Sequence, residues 1–110
     1  MGTVYSQPLA SISGLTTGSV YTSPAGIQTV IKEIVLTNTG YTPGRGLTGL
    51  YLWDPGTGAI VFDLRGCYPV PYVSYRSDSR YTLTPGSDLA AHTDDAGWNL
   101  TLMGFELVLP

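Results

Sequence analysis

Gln28-Thr29-Val30-Ile31-Lys32-Glu33-Ile34-Val35-Leu36-Thr37-Asn38 is the longest uninterrupted stretch of strand-forming residues in the chain, and its reading decides the fold. Val30, Ile31, Ile34 and Val35 fit helical spacing as well as they fit a strand. Two features decide for the strand. β-branched residues dominate, and they pack well on a pleated surface. Turn residues also bound the stretch, with Pro24-Ala25-Gly26 before it and Asn38-Thr39-Gly40 after it. As a regular strand it carries Val30, Ile34 and Leu36 on one face and Ile31 and Val35 on the other. A strand with one wet face alternates cleanly between apolar and polar. This one is read as central, with cover on both sides.

Outward from this strand, short runs of Val, Ile, Leu, Thr and Tyr recur between glycines and prolines, 14 and 8 of them respectively. Many short strands joined by turns indicate a sandwich or barrel. Toward the N-terminus, strands are expected at 8–13 and 18–23, with a turn at Ser23-Pro24-Ala25-Gly26. Beyond the central strand, 38–46 reads as a loop. A hairpin then follows, with strands at 47–53 and 59–64 around Asp54-Pro55-Gly56-Thr57-Gly58. The first of these strands places Leu47, Tyr51 and Trp53 on one face.

Residues 65–71 read as irregular, 72–76, 80–84 and 87–92 as short strands, and 93–97 as a polar loop. The last strand, 98–109, sets Trp98, Leu100 and Leu102 in one phase and Phe105, Leu107 and Leu109 in the other. A bulge at Met103-Gly104 would restore one face, because one extra residue shifts the phase. The alternative is a strand that bends and feeds two layers. The expected fold is therefore all-β: one antiparallel β-sandwich, jelly-roll-like, of about eight or nine strands across residues 1–110.

The chain is poor in charge. Charged residues make up 12% of 110, about half the usual share of a soluble domain. Low charge with many aromatics is the composition of an interface core, so association with other copies is expected. The net charge of −3, with no basic run, weighs against nucleic-acid binding. No apolar run is long enough to cross a bilayer, and the first residues do not read as a secretory signal.

Chemistry-bearing patterns are sparse. Gly44-Arg45-Gly46-Leu47-Thr48-Gly49 has the glycine spacing of a dinucleotide loop. It lacks the preceding strand and following helix that such a loop needs, so the match is accidental. Asp88, Asp94 and Asp95 read as a solvated loop rather than a calcium site. His92 is the one histidine and Cys67 the one cysteine, far apart in sequence, so no transition-metal site, disulfide or nucleophile–base pair is expected. Glu33 and Glu106 are the one conceivable pair of hydrolytic carboxylates. The expectation is no enzyme, no cofactor and no metal. Tyr68, Tyr72, Tyr75 and Tyr81 cluster with Arg65, Arg76 and Arg80. Tyrosine and arginine anchor protein interfaces; tyrosine also stacks on sugars, and packing at strand ends is the plainest reading.

Two segments carry a resemblance. One is Val20-Tyr21-Thr22-Ser23-Pro24-Ala25-Gly26 followed by Ile31-Lys32-Glu33-Ile34-Val35-Leu36-Thr37-Asn38-Thr39-Gly40. The other is Leu83-Thr84-Pro85-Gly86-Ser87-Asp88-Leu89 followed by Gly97-Trp98 and Met103-Gly104-Phe105-Glu106-Leu107. Together they resemble small β-sandwich virion proteins of tailed bacteriophages, over residues 20–109. The resemblance implies a structural subunit, made in the host bacterial cytoplasm and carried in the virion, often as a trimer. It would bind a major capsid protein as a decoration or minor capsid protein. The alternatives are a tail accessory or fibre-associated protein, or a carbohydrate- or receptor-binding module. Contact between copies would use Leu47, Tyr51 and Trp53, or Val108 and Leu109, with Tyr68, Tyr72 and Tyr75 as further interface residues. Residues 1–17 are left open as a docking arm.

Overall fold

The computed structural model describes residues 7–39, 47–68, 72–78, 80–93 and 97–108. Among these residues nine strands form two antiparallel sheets: β1 (Gln7–Ser13), β2 (Gly18–Thr22), β3 (Ile27–Asn38), β4 (Tyr51–Asp54), β5 (Ala59–Asp63), β6 (Ser74–Ser77), β7 (Tyr81–Leu83), β8 (Asp88–His92) and β9 (Trp98–Val108). The larger sheet runs β1-β9-β3-β6, with β7 also paired to β3; the smaller runs β2-β8-β4-β5. The protein is an all-β sandwich, as its sequence pattern indicates. Residues 7–17 are not a free arm: β1 pairs along β9, and Leu15 is buried in the core.

The central strand departs from the regular alternation expected of it. Thr29 and Ile31 are buried, then Ile34, Leu36 and Asn38 are buried, so the phase changes between Ile31 and Ile34. The ladder shows the cause. Ile31 faces Gly104 and Glu33 faces Met103, so β3 spends one more residue than β9. The bulge expected in β9 at Met103-Gly104 therefore lies in the opposite strand, at Lys32. β9 keeps one phase throughout. Trp98, Leu100, Leu102 and Gly104 are buried, while Phe105 and Leu107 stand on the outer face rather than joining them.

The bulge has a steric requirement. A Cβ on Gly104 would lie 2.0 Å from the Val30 carbonyl oxygen and 3.0 Å from Leu9 Cδ1. Only glycine lets β9 pass this close to β3.

The core lies between the sheets. The larger sheet contributes Ile31, Ile34, Leu36, Leu83, Trp98, Leu100 and Leu102; the smaller contributes Leu52, Leu89 and Ala91. Leu15, Leu50 and Leu64 complete the cluster. Tyr75 packs on it edge to face against Trp98, with ring centroids 5.9 Å apart.

Buried polar groups are partnered. Asp54 accepts from the Gly56 amide at 2.9 Å and from the Tyr81 hydroxyl at 2.6 Å. The first bond sets the turn of the β4–β5 hairpin, which Gly58 closes by donating to the Asp54 carbonyl at 2.7 Å, with φ of 78°. Burial, and then the Asp54 carboxylate, push the Tyr81 phenol above its ordinary pKa. Beyond the hairpin ladder, the expected strand 47–50 still runs beside 64–67. Thr48 donates to the Cys67 carbonyl at 2.8 Å and Leu64 donates to the Leu50 carbonyl at 3.0 Å.

Gly104→Ala is expected to lower unfolding stability by about 1–3 kcal/mol or more, because the strands must part at the bulge. Leu107→Ala, on the outer face, should cost far less. Urea denaturation of both variants checks the contrast, and equal losses would contradict the close packing at Gly104.

Candidate functional site

The outer face of the β2-β8-β4-β5 sheet brings the half-buried Tyr51 and Trp53 rings together with the exposed His92 ring. Strand alternation puts Leu52 and Asp54 inside and Tyr51 and Trp53 outside. Tyr51 faces His92 on β8 and Asp63 on β5; Trp53 faces Ala90 and Ile60. Asp63 and Ile60 are both outward because β5 carries an irregularity opposite Leu52–Trp53.

The Tyr51 and Trp53 rings meet edge to face at 6.4 Å. The His92 ring stacks on Tyr51 at 5.0 Å and 18°, and the Arg65 guanidinium lies 4.6 Å from the Tyr51 ring centre. Since β4 sits between β8 and β5, His92 and Arg65 flank Tyr51 from its two sides. Both contacts favour a ring face presented to cation or heterocycle.

Arg65 is held in turn. Its Nε and Nη2 donate to the two Asp63 carboxylate oxygens at 2.9 and 2.8 Å, and its amide donates to Oδ1 at 2.9 Å. These hydrogen bonds hold the Asp63 carboxyl down at a pKa of about 2. The face therefore carries one internally neutralised ion pair beside Tyr51, Trp53, Ala90 and Ile60, the last 44% exposed. Leu47, also exposed, lies on the outward phase of the segment leading into β4.

The other expected interface residues do not join this face. The tyrosine cluster divides: Tyr75 and Tyr81 pack against the core, whereas Tyr68 and Tyr72 are exposed. Tyr75, expected at an interface, is turned inward because it pairs with the buried Leu36. Tyr72 is 77% exposed and sits at φ 63°, a left-handed conformation rare for a bulky residue, with its amide donating to the Asn38 carbonyl at 2.9 Å. Val108 is 81% exposed at the end of β9. Leu109 lies outside the described residues, as do Asp94 and Asp95 and the first three residues of the glycine motif.

Nor do the titratable groups converge. Glu33 is outward and pairs with Arg76 at 3.1 Å, while Glu106 reaches Tyr21, whose hydroxyl donates to it at 2.7 Å from the inner side. The two carboxylates thus lie on opposite faces of one sheet, which removes them as a hydrolytic pair. Among the described residues no group of three or more His, Cys, Asp or Glu side chains could hold a metal ion. No helix of the described residues is long and apolar enough to cross a membrane.

Ile60, Asp63, Arg65 and His92 were not legible as partners of Tyr51 and Trp53. Cross-strand register places them together, and no local spacing encodes it. Comparison with protein-family models, with curated proteins and with solved structures gives no match for this chain.

The Asp63 carboxylate has a depressed folded-state pKa, so its pairing stabilises the fold above the ordinary carboxylate pKa of about 4 and the gain fades as pH falls through about 2. Both partners are well exposed, so solvent screening keeps the gain small. Carbon-detected NMR should show Asp63 titrating near 2 in the native protein and close to an ordinary aspartate in Arg65→Gln. An unchanged titration in that variant would contradict the pairing.

Proposed function

We propose that this chain is a structural subunit of a tailed-bacteriophage virion, a capsid decoration or minor capsid protein that binds the shell as a homotrimer. The observation that carries the proposal is the outer face of β4 and its neighbours. There Leu47, Tyr51, Trp53 and Ile60 stand outward around a single self-neutralised ion pair. Aromatic and arginine side chains with little net charge suit a surface that another protein covers.

In this proposal the subunit does no chemistry. It works by packing among copies and against a major capsid or tail protein, without nucleic acid or membrane. The turn and strand phrases that resemble those of phage virion sandwiches supply the setting; the apolar β4 face supplies the reason for assembly.

Light scattering after size exclusion should give the mass of three chains for the native protein. Trp53→Asp and Ile60→Asp should each reduce it to one chain while circular dichroism keeps its β signature. A native protein that runs as a single chain at high concentration would contradict the proposal. So would two Asp variants that keep the native mass.

A further inference from the structure

A second feature lies on the opposite sheet and owes nothing to the apolar face. In a regular strand, consecutive side chains leave opposite faces. The β3 bulge breaks that rule. Ile31 and Ile34 are both fully buried, so Lys32 and Glu33 between them both turn outward. They do so where the neighbouring edge is interrupted: β7 pairs with Thr29–Ile31 and β6 with Ile34–Thr37. Asp78 and Arg80, which lie between those strands in sequence, are at the same place. Lys32, Glu33, Asp78, Arg80 and Met103 line a cleft of about 370 Å³.

The charges in this cleft are not spent on each other. Glu33 is engaged by Arg76 at 3.1 Å. Among the described residues, Lys32, Arg80 and Asp78 make no ion pair. Lys32, Arg76 and Arg80 are three of the five basic residues of an acidic chain. The cleft therefore offers a free ammonium and a free guanidinium, which together bind a carboxylate well. Asp78 and Glu33 beside them accept hydrogen bonds from hydroxyls. An acid that also carries hydroxyl donors therefore meets both kinds of wall, whereas an anion without such donors uses only the two cations. Met103 adds one apolar surface, and the volume accommodates a six-membered ring.

We infer that this cleft is a binding site for an acidic sugar of the uronic type. Its carboxylate sits on Lys32 and Arg80, and its hydroxyls donate to Asp78 and Glu33. The inference is independent of the trimer proposal, because the cleft is on the other sheet.

Amide NMR titration of the native protein tests it, with sodium glucuronate as the probe and glucose, acetate, phosphate and L-serine as comparators. Glucuronate should give saturable shifts centred on Lys32, Glu33, Asp78 and Arg80. Each comparator should bind at least about tenfold more weakly, as should glucuronate to Arg80→Gln and Lys32→Gln. Both variants alter exposed or half-exposed side chains, and spectra that stay unchanged elsewhere will establish that the fold is kept. Three outcomes overturn the inference: linear, non-saturating shifts; Arg80→Gln binding like the native protein; or any comparator binding as tightly as glucuronate.

Discussion

The passage of β9 against β3 at Gly104 is the constraint on which the rest of the sandwich depends. β3 must place Thr29 and Ile31 in the core at one end and Ile34, Leu36 and Asn38 at the other. These two sets have opposite parity, so a regular strand would turn one of them to solvent. The extra residue at Lys32 resolves the conflict, and Gly104 gives the bulged backbone room, since any Cβ there would strike the Val30 carbonyl. With the phase restored, the long pair β3–β9 holds one continuous apolar face for the smaller sheet to cover.

The bulge also shapes the outside. It sends Lys32 and Glu33 outward together; apart from the exposed Leu107, the rest of the β3 and β9 outer surface is half-buried and uncharged. The smaller sheet repeats the theme with Tyr51, Trp53 and Ile60. Its edges are irregular: β2 shifts register between Ser19 and Tyr21, and β5 against Leu52–Trp53. On the larger sheet β1 shifts between Pro8 and Ala10, and the other edge is split between β6 and β7. Bulged or broken edges resist strand addition. An apolar β4 face between blunted edges fits a protein whose copies meet through a sheet face, which is the form of association proposed for it.

Most of the strand plan was legible because its signals are local. Turn residues such as Asp54-Pro55-Gly56-Thr57-Gly58 mark the hairpin, and β-branched runs mark β3. The buried phase of Trp98, Leu100 and Leu102 could be read from alternation alone. The bulge was legible only as a conflict of phase. Sequence shows that parity must change somewhere between the paired strands, and the glycine in β9 drew attention to the wrong partner. The site was less legible still. Tyr51 and Trp53 share a face by alternation, but Arg65 and His92 reach Tyr51 through the order β8-β4-β5, which no local pattern states. The tyrosines at 68, 72, 75 and 81 are close in sequence, yet pairing with Leu36 and Ile31 turns Tyr75 and Tyr81 inward.

The chain holds two tryptophans, and they separate the inside from the proposed contact. Trp98 is fully buried within one copy, whereas Trp53 lies on the outer face of β4. Acrylamide quenching of tryptophan fluorescence across a dilution series therefore reports the contact directly. Association through this face predicts a quenchable fraction that grows as the protein is diluted and is already maximal in Ile60→Asp. Quenching that is the same at every concentration, with Trp53 accessible throughout, would contradict it.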